Sequence, residues 1–236
     1  ELLVFPELCI TGYTCADLFF QSSLINAAEE CLSMIAEATK NKNTVVVVGL
    51  PVNIGNSLYN CSVAVYDGDI LGAVPKTYIP NYGEYYEKRW FKSGKDLKGG
   101  IALCGQSVPV GTNLLFAAEG IENFTFGIEI CEDLWAPIPP SSYLTMSGAA
   151  IIANTSASNE LATKNEYRTA LVSNQSARCI CGYVYSSAGI GESTQDMVFS
   201  GHSIISENGS VLIEGDRFSN DSSLIMADID TELIVN

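Results

Sequence analysis

Three residues of different chemical type occupy the same kind of place in this sequence. Cys131 follows the apolar run Phe124 to Ile130 and leads straight into Glu132-Asp133-Leu134-Trp135, the pattern of a strand passing abruptly into a helix. A thiol there is presented at the carboxyl end of a sheet, where the unpaired amides of the following turn can lower its pKa and receive an oxyanion. Glu7 closes a second apolar run, Leu2 to Phe5, just before the turn residues Thr11-Gly12-Tyr13. Lys76 closes a third, after the hairpin pattern Ser62 to Tyr66, Asp67-Gly68, Asp69 to Val74. A carboxylate, an ammonium and a thiol at three strand mouths are the parts of amide hydrolysis through a thioester. The carboxylate moves protons, the ammonium holds positive charge near the thiolate and the developing oxyanion, and the thiol attacks. Taken singly, each has a plainer reading as a buried structural cysteine, a solvated strand-end glutamate or a surface lysine. The joint pattern is what points to chemistry.

The elements that must carry these groups alternate between the two periodicities. Gln21 to Asn41 places Leu24, Ile25, Ala28, Cys31, Leu32, Ile35 and Ala36 at helical spacing, and Val45 to Val48 is a buried-type strand. Strands follow at Asn113 to Ala117 and Phe124 to Ile130, then a helix around Ser141 to Ser147 after Pro139-Pro140, and a strand at Ala150 to Asn154. Tyr167 to Cys181 has the pattern of a helix and Tyr183 to Ser187 that of a strand. Met197 to Glu207, Val211 to Glu214 and Leu224 to Asp228 are expected as late strands. This is an α/β chain with helices flanking two sheets. His202, the single histidine, falls inside the strand-like Phe199 to Ser206 with no motif around it, and is assigned a structural role. Gly189-Ile190-Gly191-Glu192-Ser193 is glycine-rich but lacks the lysine and spacing of a phosphate loop, so no nucleotide site is expected there.

Composition narrows the setting. A chain of 236 residues, 47% hydrophobic and 17% charged, suits one α/β domain around a large core. Its net charge of -15 and pI near 4.3 argue against nucleic acid or an anionic membrane as partner. Eight cysteines without a Cys-x-x-Cys pair suggest reduced thiols in a cytoplasmic protein, and one histidine with no paired cysteines argues against a metal site. No signal peptide or membrane-length apolar run is present in this sequence. Triplets such as Asn60-Cys61-Ser62 carry no glycosylation meaning in an intracellular protein.

With its local context the triad resembles that of the carbon-nitrogen hydrolase (nitrilase) superfamily, in which Glu, Lys and Cys follow in that chain order. The matching stretches are Val4-Phe5-Pro6-Glu7-Leu8 with Thr11-Gly12-Tyr13, then Pro75-Lys76-Thr77-Tyr78-Ile79-Pro80-Asn81-Tyr82, then Gly127-Ile128-Glu129-Ile130-Cys131-Glu132-Asp133-Leu134-Trp135. Within the superfamily the chain is similar to the glutaminase domains of glutamine-dependent NAD synthetases. That likeness continues through Ala153 to Glu160, Gln175 to Cys179 and Ser187 to Asp196, and so covers nearly the whole chain.

The resemblance implies a four-layer α-β-β-α sandwich of the nitrilase type, with residues 1-236 forming one glutaminase domain. It also implies that a first strand and helix are missing, and that an ATP-dependent synthetase domain is covalently linked beyond residue 236. Glu7, Lys76 and Cys131 take the catalytic places, with Glu87 as the additional glutamate beside the lysine. Tyr13, Tyr82, Glu87, Glu132, Ser158 and Lys164 fall at positions used around bound L-glutamine. No cofactor is expected in this domain; ATP, magnesium and deamido-NAD belong to the synthetase, and a homo-oligomer is expected. A free-standing nitrilase, amidase or carbamoylase with the same triad is the alternative enzyme. An inactive interaction module is a further alternative, against which the intact triad argues.

Overall fold

A computed structural model describes residues 1–192 and 194–235; Ser193, within the Ser187 to Asp196 stretch, lies outside the described residues. Six strands, β1 (Leu2–Val4), β2 (Val45–Ile54), β3 (Ser57–Tyr66), β4 (Asp69–Pro75), β5 (Lys98–Leu103) and β6 (Gln106–Gly111), form a first sheet in the order β1-β2-β3-β4-β6-β5. A second sheet runs β12-β11-β10-β9-β8-β7. Its strands are β7 (Leu115–Ala117), β8 (Thr125–Ile130), β9 (Ile151–Ser156), β10 (Gly182–Ser187), β11 (Ile204–Glu207) and β12 (Ser210–Glu214). Both sheets are mixed: β1 runs parallel to β2, and β8, β9 and β10 are mutually parallel, while the hairpin partners are antiparallel.

Alternation along the strands builds the layers. On the outer face of the first sheet, Val48, Leu50 and Val52 of β2 pack against Ala28, Leu32 and Ala36 of α1 (Ser22–Ala38). On its inner face Val47, Ala64 and Val74 meet Phe126, Ile128, Ile151 and Ala153 of the second sheet. The outer face of that sheet carries Ile152, Tyr183 and Tyr185 under α3 (Pro140–Met146) and α4 (Lys164–Cys179), through Leu144 and Val172. Each of the buried valine, leucine and isoleucine side chains among these contributes about 1.5–3 kcal/mol on burial. The result is the expected α-β-β-α order of layers.

Several boundaries differ from the sequence reading. The hairpin β5–β6, turning at Cys104-Gly105, is not signalled, because Gly99, Gly100 and Pro109 dilute its strand pattern. Met197 to Glu207 is not one strand: Gly201 takes φ 72°, and only Ile204–Glu207 joins a ladder. His202 therefore precedes β11 and is outside any strand. Leu224 to Asp228 is not a strand either and joins no ladder among the described residues, with Leu224 and Met226 exposed. Helix α4 starts at Lys164 and stops at Cys179, where Ile180 turns left-handed at φ 47°.

Candidate active site

Cys131 sits between β8 and the single-turn helix α2 (Glu132–Trp135), with φ 45° and ψ -98°. A side chain other than glycine reaches such a conformation only where its surroundings over-determine it. Here the Cys131 N–H donates to Thr155 O at 3.0 Å and to Asn154 Oδ1 at 3.1 Å, while Leu134 N–H closes on Cys131 O at 3.1 Å. Asp133 reinforces the bend: its buried carboxylate accepts Ile130 N–H at 3.0 Å, Thr77 N–H at 3.1 Å and Tyr78 N–H at 2.7 Å. The loop after Lys76 is thereby tied to the cysteine's own turn.

Glu7 is brought to the same place by a close crossing of main chains. The segment after β1 passes over β2 so tightly that a Cβ on Gly49 would stand 2.2 Å from Leu8 N, which only glycine permits. Beyond that crossing Glu7 N–H donates to Ser156 O at 3.2 Å, bridging the two sheets. Lys76, just past β4, donates its N–H to Asn60 O and accepts Gly94 N–H through its carbonyl, both at 2.8 Å. Its Nζ lies 2.6 Å from Glu7 Oε1 and 2.7 Å from Glu87 Oε1. Asn60 Nδ2 also donates to Glu7 Oε1 at 2.6 Å, Ala157 N–H donates to Glu7 Oε2 at 2.9 Å, and the Tyr13 hydroxyl donates to Glu87 Oε1 at 2.7 Å. Glu7, Lys76 and Glu87 are 1%, 0% and 2% exposed, so these groups must satisfy one another. Glu87 Oε2 is buried with no hydrogen-bond partner among the described residues.

This geometry sets the charges. Burial alone would push the Lys76 ammonium down, but Glu7 and Glu87 hold it well above its ordinary value, so it stays charged. Burial pushes the Cys131 thiol up, and the Glu7 carboxylate adds to the effect; Lys76 and the Ala157 N–H pull the other way without offsetting it. The lowered thiol pKa expected from the strand-to-helix turn is therefore corrected. Desolvation beside a carboxylate outweighs the turn's amides, and the resting group is a protonated thiol. Burial likewise raises the Glu87 carboxyl, against the pull of Lys76.

The remaining expected residues fall into two groups. Tyr82 and Glu132 meet at the rim, the Tyr82 hydroxyl donating to Glu132 Oε1 at 2.9 Å. Lys164 stands over the Trp135 ring at 5.0 Å, donates to Asn159 Oδ1, and lies within electrostatic reach of Cys131. These three are more exposed than the buried charge cluster. Tyr13 and Ser158 are interior instead: the Tyr13 hydroxyl is engaged by Glu87, and Ser158 Oγ accepts from Arg168 Nη2 at 3.4 Å. Sequence reasoning missed Asn60 as a partner of Glu7, having noted it only in a glycosylation triplet. It also missed Tyr85, whose hydroxyl donates to Asn159 Oδ1 at 2.8 Å and accepts Asn159 N–H at 3.0 Å. A signal existed for Asn60, a polar residue in the middle of a strand whose neighbours Cys61 and Val63 are buried.

With the geometry in hand, comparison with known proteins is decisive on family. The carbon-nitrogen hydrolase family model matches residues 1–236. The chain belongs to the carbon-nitrogen hydrolase family. Among curated relatives, the glutamine-dependent NAD(+) synthetase of Mycobacterium tuberculosis (strain H37Rv) is 41% identical over 233 residues, 99% of this chain and 34% of that protein. The enzyme of the same name from Thermotoga maritima is 31% identical, covering 100% of this chain and 38% of its own length. Among solved structures, a glutamine-dependent NAD(+) synthetase from Cytophaga hutchinsonii superposes with a TM-score of 0.82 at 32% identity, over 93% of this chain and 35% of that one. An amidase of the nitrilase superfamily from Nesterenkonia shares the fold, with a TM-score of 0.69 at 18% identity, over 92% of this chain and 73% of that one. This carbon-nitrogen hydrolase domain thus spans about a third of the length of the curated relatives it matches. No helix among its described residues is long and apolar enough to cross a membrane.

Proposed function

We propose that this domain hydrolyses the side-chain amide of L-glutamine through a thioester on Cys131. The observation that carries the reading is the fully buried Lys76 ammonium held between Glu7 and Glu87, with Cys131 held in a strained backbone conformation at the end of β8. Glu7 takes the thiol proton and the sulfur attacks the carboxamide carbon. Lys76 and the amide of Glu132, first in α2 and so without an intrahelical acceptor, stabilise the oxyanion. The C–N bond breaks as Glu7 returns the proton to departing ammonia. Water, deprotonated by Glu7, then cleaves the γ-glutamyl thioester to glutamate. At the rim, Glu132 and Tyr82 supply acceptors for the substrate ammonium and Lys164 a donor for its carboxylate, with Ser158 and Tyr13 supporting from beneath.

The ammonia would serve a linked synthetase domain that amidates deamido-NAD with ATP and magnesium, a reading supported by the similarity to glutamine-dependent NAD(+) synthetases. A glutamine-derived diazoketone should modify Cys131 alone among the eight thiols, read by peptide mass spectrometry, and labelling elsewhere with Cys131 untouched would sink the assignment. In the longer protein, Cys131→Ala should abolish NAD formation from glutamine yet leave formation from ammonium salt intact. Loss of both activities in a folded variant would remove the synthetase link.

A further inference from the structure

A second buried polar chain lies directly behind Cys131 and takes no part in the chemistry above. Period-two alternation places Glu129 of β8, Asn154 of β9 and Tyr183 of β10 on the helix-covered face of the second sheet, with Glu129 and Asn154 opposite one another in register. All three are fully buried. Ser141 N–H, in the first turn of α3, donates to Glu129 Oε2 at 2.7 Å. The Tyr183 hydroxyl donates to Glu129 Oε1, and Asn154 Nδ2 donates to the Tyr183 oxygen at 2.9 Å. Asn154 Oδ1 is left to accept Cys131 N–H at 3.1 Å and the Ser156 hydroxyl at 2.8 Å.

Each link in this chain is directed by the one before it. The Ser141 amide can only donate, and the Tyr183 hydroxyl donates to Glu129 Oε1; burial pushes the Glu129 carboxyl up, while these two donors pull it the other way. The Tyr183 oxygen can then only accept from Asn154, which turns the amide NH₂ of Asn154 toward the tyrosine. Its carbonyl consequently faces the cysteine. A buried carboxyl with no ion-pair partner among the described residues is a costly way to fill space, and a hydrocarbon would pack the same volume at lower cost. We propose that Glu129, acting through Tyr183 and Asn154, is a positioning residue that turns the Cys131 amide into the sheet and so holds the strained bend with the Glu132 amide facing the reacting carbonyl. The proposal rests on reading Cys131 as the nucleophile of glutamine hydrolysis.

A glutamine at position 129 cannot restore this directionality. If its carbonyl accepts Ser141 N–H, its NH₂ must meet the Tyr183 oxygen, the tyrosine must donate onward, and Asn154 is driven to turn its NH₂ against Cys131 N–H. Adding an aspartate at 154 repairs the conflict, because that carboxylate accepts both from Tyr183 and from Cys131. The experiment is therefore a cycle in the full protein, assayed by glutamate release: Glu129→Gln, Asn154→Asp and the pair. Glu129→Gln should lower kcat about a hundredfold with KM little changed, as a small displacement of reacting groups does. The pair should recover at least tenfold of that loss, by the coupling expected of groups in one network. A space-filling role predicts instead that the two losses add, and that result overturns the proposal, as does Glu129→Gln with unaltered kcat. If Glu129→Gln fails to fold by circular dichroism, Tyr183→Phe, which lacks a single oxygen, carries the same kcat expectation, and wild-type kcat there is equally fatal. A Cys131→Ala variant that still hydrolyses glutamine would remove the nucleophile reading itself, an outcome distinct from either.

Discussion

Glu7 and Lys76 leave the first sheet as groups that hold one another directly at 2.6 Å, whereas Cys131 leaves the second through a main-chain bend held by hydrogen bonds to the Thr155 carbonyl, the Asn154 amide and the Asp133 carboxyl. The two sheets therefore do different work at one site. Charge cannot be mislaid quietly in a buried place, because each ion is the other's solvation. A bend can be loosened by degrees. Substitutions on the first sheet should therefore act steeply and together, and those on the second should act in graded fashion.

The steepest expectation is for Glu7→Gln. If one carboxylate removes the thiol proton, returns it to ammonia and activates water, its loss should lower kcat by about 10²–10⁴-fold, the usual scale of general acid–base catalysis, in both half-reactions. Near-normal glutamate release would end the distinction between the sheets. Lys76→Ala comes next and should strike stability as well as rate. It leaves Glu7 and Glu87 facing each other in a dry interior, and breaking one member out of a buried ion cluster costs about 3–5 kcal/mol. Urea denaturation should show this, with Glu87→Gln restoring part of the stability but not the activity.

A third test sharpens the comparison within the thiols. Cys131 is held protonated by burial and Glu7, while Cys179, at the end of α4, is lowered to about 6, first by a hydrogen bond from Cys181 and helped by Thr145 and Arg178. A simple haloacetamide, unlike a glutamine-shaped reagent, should at pH 7 alkylate Cys179 well ahead of Cys131, and the Cys131 rate should climb as pH rises. Equal rates at pH 7 would mean that Cys131 rests as a thiolate and that Glu7 has no proton to remove.

The unequal legibility of the two regions follows from the same physics. Glu7, Lys76 and Cys131 could be picked out as candidates because each stands at the end of an apolar run, and a polar group at a strand mouth breaks the hydrophobic pattern at a recognisable point. The layers were legible because α1 and the central strands keep clean periodicity. Asn60, Asn154 and Tyr183 were not, since their role depends on which strands lie side by side, and strand order is not written in local sequence. The direction of the Cys131 pKa shift was misjudged for a related reason. The turn amides are visible in the sequence pattern, but the surrounding desolvation and the neighbouring carboxylate belong to the tertiary structure. Gly201 ended the expected late strand by one left-handed residue that the apolar pattern of Met197 to Glu207 does not reveal.

The smallest effect is expected farthest from the charges, at His202. Its Nδ1 faces Arg168 Nη1 at 2.8 Å and its Nε2 faces Glu214 Oε1, so a neutral ring that accepts from the arginine and donates to the glutamate satisfies both. Glu160, which Arg168 also reaches at 3.1 Å and Arg217 at 3.5 Å, completes the charged surroundings. Arg168 in turn donates to Asn159 O at 3.0 Å, fixing the strap that carries Ala157 N–H toward Glu7. Burial lowers the His202 pKa below its ordinary value, and Arg168 acts in the same direction against Glu214. The folded protein then binds fewer protons here than the unfolded chain does as pH falls below about 6.5, the free imidazole value. His202 thus contributes stability in full above that pH, and the contribution fades as pH drops toward the folded-state pKa. Melting temperature measured between pH 5 and 7.5 should fall more steeply on the acid side for the wild type than for His202→Gln, whose amide can accept from Arg168 but cannot titrate. Parallel curves would place the acid sensitivity elsewhere, while glutamine hydrolysis at pH 7.5 should differ little between the two because the strap remains held by Arg168 in both.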